Sequence, residues 1–407
     1  MRYLSKKAPK YKDLKRVGNL IAKVSQRHSY LLLYHSFERC AIPDTIVLKG
    51  SMKIGIYDPY LDDLGGGEKY MMTIAECLSK NNDVTVFWDD KKDIEGLLQR
   101  FTLDLSRVTI GKNIFAKNVG FFNKIFESRK YDAIIILSDG SIPFLLSKKI
   151  FLHIQQPIEN GKNNLKSWLK LLRISTIFYN SEFTKSFNEN LLPQKTKIIY
   201  PPVYLFPKQV HKQNIILHVG RFRVKNVIGI DDYKKQHIMI DVFKEMVDKG
   251  LKNWKFVLAV SIRSDDKEKF EEMKKRTEGY PIEFVINCSN KKLWDYYSIA
   301  KIYWHASGFG EDLDRHPEFA EHFGISTVEA MGAGAVPVVI NAGGQKEIVV
   351  DGKNGFLWNS IEDFKKKTLQ LIDDSSLMEQ MSLRAKDQAK NFSEKKFCED
   401  IVELVEK

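Results

Sequence analysis

Cysteine is scarce in this chain of 407 residues: Cys40, Cys77, Cys288 and Cys398 lie far apart and form no C-x-x-C pair. That spacing suggests neither a zinc site nor a disulfide framework, and a reducing compartment fits it best. No run of about 18 apolar residues occurs, so the sequence offers no segment for a bilayer-spanning helix. The first residues lack the charged, apolar and small-residue succession of a cleavable signal, and the chain is expected in the cytoplasm. Also missing is G-x-G-x-x-G, which removes the dinucleotide-binding fingerprint.

What is present points to two domains, because 407 residues exceed what one hydrophobic core usually organises. The formal charge of +12, from 64 basic and 52 acidic side chains, favours an anionic partner such as a phosphate or an anionic lipid surface. Nucleic acid is not expected, since no recognition helix or aromatic-stacking motif accompanies the charge. The first 27 residues hold nine Lys or Arg against the single Asp13, with Leu14, Val17, Leu20, Ile21 and Val24 at helical spacing. Residues 1–50 therefore read either as an amphipathic basic extension on the cytoplasmic face of a membrane, or as a helix or solvated arm belonging to the first domain.

From residue 52 onward, short apolar runs alternate with amphipathic stretches, the signature of parallel sheets crossed by helices. One set comprises "MKIGIYD" (52–58), "DVTVFW" (83–88), "AIIILSD" (133–139), "IFLHIQ" (150–155) and "TIFYNS" (176–181). A second set comprises "NIILHVG" (214–220), "KFVLAVS" (255–261), "IEFVIN" (282–287), "IYWHAS" (302–307) and "VPVVIN" (336–341). Between them Pro201, Pro202 and Pro207 disfavour regular structure, which places a boundary near residue 206. The expectation is an α/β protein of two doubly wound Rossmann-like domains, 51–206 and 207–390, with ligands bound in the cleft between them. Helices are expected over 375–390 and 394–405, the last packing back on the first domain through Phe397, Ile401, Leu404 and Val405.

The richest stretch for chemistry is "AEHFGISTVEAMGAGAVPVVINAGGQKEIV" (320–349). A turn through His322, Phe323 and Gly324 leads into a helix starting near Ile325, and a helix N-terminus presents unpaired N–H groups that suit a diphosphate. Glu321 and Glu329 flank that seat, and carboxylates accept several hydrogen bonds from sugar hydroxyls. Two such acceptors around a phosphate seat describe a nucleotide-sugar pocket. In the first half, Gly65, Gly66 and Gly67 follow strand one and precede a helix, where they either admit a phosphate or acceptor to the backbone or form a plain tight loop.

"EHFGISTVEAMGAGAVPVVINAGGQKEIVVDGKNGFLW" resembles the donor-binding signature of retaining GT-B glycosyltransferases of family 4, a group that includes mannosyltransferases. The resemblance extends over roughly residues 52–400 through "ILHVGRF", "KKQHIMIDVFKEM", "YNSEFTKSF" and "IIYPPV". It implies a sugar contact at Glu321, a ribose contact at Glu329, a phosphate seat at Gly324, Ile325, Ser326 and Thr327, and Phe323 among the donor-binding residues. It also implies that Gly220 and Arg221 end a strand against the diphosphate with Lys235, for which Lys234 and Lys225 are alternatives. Asn287 and Cys288 would border the base, and Gly66 and Gly67 would approach the donor. His153, taken alone a structural histidine, would by resemblance contact the transferred sugar. No metal and no cofactor are implied, the donor being a GDP- or UDP-linked sugar and the acceptor a glycan or lipid-linked hydroxyl.

The pairs Asp89/Asp90, Asp231/Asp232 and Asp265/Asp266 and the "DLD" of Asp312–Asp314 read as solvated loop charges rather than magnesium ligands. Three other readings share the scaffold: a phosphorylase, an epimerase and a non-catalytic binding protein. The chain shows no evident cofactor-lysine motif for the first. The string above is not that of the second, and the third would need an eroded site.

Overall fold

The computed structural model describes residues 50–63, 65–138, 140–158, 170–188, 195–205, 210–223 and 234–406. The basic extension, the expected boundary at residue 206 and Lys225 lie outside these residues.

The first sheet is built from β1 (Lys53–Tyr57), α1 (Gly66–Leu78), β2 (Asp83–Phe87), α2 (Lys91–Arg100), β3 (Val108–Gly111), α3 (Phe121–Ser128), β4 (Ala133–Leu137), β5 (Lys149–Ile154), β6 (Thr176–Tyr179), α4 (Glu182–Asn188) and β7 (Thr196–Ile198). Its strands are all parallel, in the order β3-β2-β1-β4-β5-β6-β7. "AIIIL" in β4 is apolar at every position because the strand is central and covered on both faces. Ile54, Ile56, Ile135 and Leu137 face one helical layer, and Ile134, Ile136, Ile150 and Leu152 face the other.

The second sheet follows the same logic. It contains β8 (Gln213–Arg221), α5 (Gln236–Asp248), β9 (Lys255–Ser261), α6 (Lys267–Lys275), β10 (Ile282–Ile286), α7 (Asn290–Ile299), β11 (Ala300–His305), α8 (Ile325–Gly332), β12 (Val336–Ile340), α9 (Gln345–Ile348) and β13 (Phe356–Trp358). The order is β10-β9-β8-β11-β12-β13, again parallel throughout. After α10 (Ile361–Asp373) and α11 (Ser375–Ala389) the chain returns to the first domain as α12 (Glu394–Glu406). Phe397, Ile401, Leu404 and Val405 join the core around α1, and the Phe397 ring meets Tyr70 edge-on at 4.8 Å.

Hydrogen bonds away from the cleft help to hold the domains in register. Val203 N–H donates to the Phe392 carbonyl at 3.0 Å, so the two chain crossings run side by side. Glu347, in α9 of the second domain, accepts the N–H groups of Glu182 and Phe183 at 2.8 Å each and so caps α4 of the first.

The cysteine expectation needs correction. Cys77 in α1 and Cys398 in α12 form a disulfide, their Cα atoms 5.3 Å apart. Their separation of 321 residues hides the pair from any reading of local spacing, because it exists only once α12 has folded back. Cysteine usage therefore gives no support for a reducing compartment. No helix among the described residues is long and apolar enough to cross a membrane.

Cys77→Ser should lower unfolding stability by about 2–4 kcal/mol relative to the oxidised protein. Chemical denaturation with and without reductant checks this, and identical midpoints for oxidised and reduced wild type would contradict it.

Candidate functional site

The C-terminal ends of the two sheets open onto one cavity of about 570 Å³, within the usual range for a small-molecule site. Gly66, Gly67, Gln155 and Asn180 line it from the first domain, and Gly220, Arg221, Lys234, Glu321 and the start of α8 from the second.

Two helix N-termini converge there. At Gly324 the backbone has φ +120°, and a Cβ would come within 2.7 Å of Gln345 Nε2, so the turn into α8 requires glycine. No side chain caps α8, which leaves its first N–H groups for a ligand. On the opposite wall a Cβ at Gly67 would lie 2.3 Å from Gln155 Nε2, and one at Gly66 would reach Ile325 Cδ1 at 3.4 Å. The starts of α1 and α8 thus face each other at contact distance. Arg221 adds a guanidinium on the same side, its Nη2 3.0 Å from where a Cβ of Gly65 would stand.

Acidic groups near α1 are muted by burial. Burial pushes the Asp58 carboxyl up from its ordinary 3.8 to about 7, against a hydrogen bond from Tyr60 N–H and with the help of Glu68. Glu68 is raised by burial as well, while its Oε2 accepts the Gly65 N–H at 2.5 Å.

Glu321 behaves in the opposite way. Burial opposes its ionisation, but the Lys234 ammonium at 2.5 Å and His305 Nε2 at 3.0 Å from the same Oε2 hold it well below the usual carboxylate range. His305 is buried in β11, and burial depresses its pKa; the neutral ring donates its Nε2–H to Glu321. Both contacts use Oε2, which leaves Oε1 for a ligand. Glu329, one turn into α8, takes a 2.8 Å hydrogen bond from Tyr297, and burial raises its pKa against the pull of Lys69 and Tyr297. Ser326 is oriented by Tyr303 Oη at 2.7 Å. At the far end Asn287 turns with φ 46°, its amide bonded both ways to the Ile262 backbone at 3.0 and 3.1 Å. Cys288, Val219, Ala259 and Leu293 complete an apolar wall beside it.

The cavity therefore gathers Gly66, Gly67, Gly220, Arg221, Asn287, Cys288, Glu321, Phe323, Gly324, Ile325, Ser326 and Glu329. Three expected residues are not on its wall. Lys235 adopts a left-handed conformation ahead of α5 and pairs with Glu311, and this turn gives the cavity position to Lys234 instead. His153 is fully buried between Tyr70 and Phe178, at ring distances of 4.1 and 4.7 Å, with Nδ1 3.2 Å from the Phe178 carbonyl. Burial lowers its pKa to about 3, so it is a neutral core histidine, and Tyr70 and Gln155 form the wall above it. Thr327 is buried behind α8, because only Ile325, Ser326 and Glu329 share the helix face toward the cavity. Tyr70, one turn into α1, and Gln155, Asn180, Ser261 and Asn290, each at the end of a different element, line the site without any sequence signal. Asn290 also reaches across the domains to the Arg100 carbonyl at 2.7 Å.

Residues 206–388 match the model of the family glycosyl transferases group 1. The chain is 25% identical over 334 residues to the alpha-1,3/1,6-mannosyltransferase ALG2 of Dictyostelium discoideum, covering 69% of this chain and 77% of that protein. It is 26% identical over 331 residues to the human GDP-Man:Man(3)GlcNAc(2)-PP-Dol alpha-1,2-mannosyltransferase, covering 75% of this chain and 59% of that protein. It spans 41% of the length of the Dictyostelium counterpart of the latter. The crystal structure of Anabaena HepE in complex with UDP and glucose superposes with a TM-score of 0.62 at 17% identity, covering 87% of this chain and 99% of that one, a likeness of fold. The likeness of fold is to the GT-B arrangement of two Rossmann-like domains, and the family match falls on the second of them.

Two outcomes test the geometry. Lys234→Met should weaken nucleoside diphosphate binding by about tenfold or more, as expected for a charge-assisted contact, while Lys235→Met changes it little. Calorimetric titration of both variants checks this, and equal effects would contradict the assignment of Lys234. For Asp58 the unfolded chain ionises near its ordinary 3.8 while the folded protein keeps the proton to about 7, so stability falls as pH rises between those values. Asp58→Asn should therefore gain melting temperature over wild type at pH above 7 and lose that gain at pH below 4. A gain independent of pH would contradict the burial of an acid there.

Proposed function

We propose that the chain is a retaining, metal-independent glycosyltransferase that moves a hexose of mannose or glucose type from a GDP- or UDP-linked donor to a glycan or lipid-linked acceptor hydroxyl. The carrying observation is the convergence of two helix starts, Arg221 and Lys234 on one cavity that also holds the ionised Glu321. As the bond from the anomeric carbon to the diphosphate oxygen breaks, negative charge grows on the diphosphate. The N–H groups of α1 and α8 and the two cations stand where it appears, before the reaction begins. The acceptor oxygen attacks on the face the diphosphate leaves, its proton passing to the departing phosphate oxygen.

Glu321 offers Oε1 to a sugar hydroxyl, and Lys234 and His305 fix its other oxygen, which orients the sugar without lending it a proton. Glu329 takes a ribose hydroxyl, and the apolar wall near Cys288 receives the base. Closure of the domains, with Glu347 capping α4, excludes the water that would hydrolyse the donor. Mannose and a lipid-linked acceptor are favoured by the mannosyltransferase relatives, two of which are named for GDP-Man and a PP-Dol acceptor. As part of the same proposal, the chain acts peripherally on the cytoplasmic face of a membrane, where a lipid-linked acceptor would be met.

Glu321→Gln should slow transfer by about a hundredfold or more while nucleotide affinity stays near wild type. Transfer assays read against a thermal-shift panel of GDP-, UDP- and ADP-sugars test this, because a bound donor raises the melting temperature. Unchanged turnover would remove Glu321 from the mechanism, and no shift with any donor would remove the transferase reading.

A further inference from the structure

Helix α3 carries an aromatic face that the protein leaves in solvent. Phe121, Phe122 and Phe126 are 59%, 71% and 62% exposed, on an element of eight residues. Phe122 and Phe126 stand one above the other at i, i+4, as do Phe121 and Ile125. The Phe121 ring lies 5.7 Å from Phe122 and 6.5 Å from Phe144, which follows β4. Scattered apolar residues on a surface are ordinary, but contiguous exposed rings mark an interaction surface.

Charge chooses the partner. Residues 112–130 hold Lys112, Lys117, Lys124, Arg129 and Lys130 against the single Glu127. Aromatic rings among cations suit the boundary of an anionic bilayer, where the rings enter the acyl region and the cations meet headgroup phosphates. A second copy would bring like charge against like. The first 27 residues of the chain, with nine cations and one anion, carry the same sign. Topology supplies the purpose. The chain enters α3 from the C-terminal end of β3, and Phe144 follows that of β4, the same edge of the first sheet from which Gly66 and Gln155 reach the cavity.

We propose that the aromatic face of α3 docks on an anionic lipid surface and brings the mouth of the first domain to it. The inference extends the proposed function, since a lipid-linked acceptor must be met at a membrane, and it rests on that reading for its use alone.

The test uses the full chain with vesicles of phosphatidylcholine, with and without phosphatidylglycerol. Wild type should bind the anionic vesicles, and the combined variant Phe121→Ser, Phe122→Ser, Phe126→Ser should bind them about tenfold or more weakly with an unchanged nucleotide thermal shift. A second variant, Phe122→Trp, keeps an aromatic ring and should show tryptophan quenching by brominated lipid beyond that of wild type. Wild-type affinity in the triple variant, no added quenching in Phe122→Trp, or a dimer that the triple substitution dissociates would each overturn the docking surface. Docking with no response to any nucleotide sugar would leave it standing and remove the transferase reading instead.

Discussion

The site depends on one electrostatic constraint: two helices from different domains begin at glycines and point their unpaired N–H groups at the same space. A Cβ at Gly67 would stand 2.3 Å from Gln155 Nε2, and Gly324 sits at φ +120°, so neither start takes a side chain at that glycine without displacement. Each helix end carries roughly half a positive elementary charge and Arg221 adds a whole one, while the Lys234 ammonium is paired with Glu321. An apolar or neutral ligand would leave that charge uncompensated, whereas a diphosphate satisfies it. Burial raises the pKa of both Asp58 and Glu68, so the same low dielectric that strengthens the seat also weakens the ionisation of its acidic neighbours.

Such a seat is only as good as the register between the domains, and the chain secures that register at a distance from the chemistry. The Glu347 carboxylate of one domain terminates a helix of the other, and the paired crossings at Val203 and Phe392 fix the hinge side. Cys77–Cys398 ties α12 to α1, the helix whose first residues form half of the seat. A small rotation of α1 would therefore be felt both at the disulfide and at Gly66.

Much of this was legible before any coordinates. Ten strands stand where apolar runs end at polar or glycine residues, and the seat at Ile325 and Ser326 follows from a turn that opens a helix between two carboxylates. The strands that escaped, β3, β7 and β13, lie at sheet edges and have only three or four residues, too few for a period to show. Lys234 and Lys235 could not be ranked by pattern, since a left-handed backbone at Lys235 decides which ammonium turns toward Glu321. His153 misled because a strand end faces either the cleft or the core, and stacking with Tyr70 settled it toward the core. Tyr70, Gln155 and Asn180 belong to the site through tertiary placement alone, and the disulfide through a fold-back of 321 residues.

The direct test of the convergent seat is the affinity of a nucleoside diphosphate relative to its parent nucleoside, titrated calorimetrically for the guanosine and uridine series. If two helix termini and two cations receive the diphosphate, the diphosphate of the preferred base should bind about a hundredfold or more tighter than the nucleoside, and the gap should narrow as salt rises. Equal affinity for nucleoside and diphosphate would contradict it.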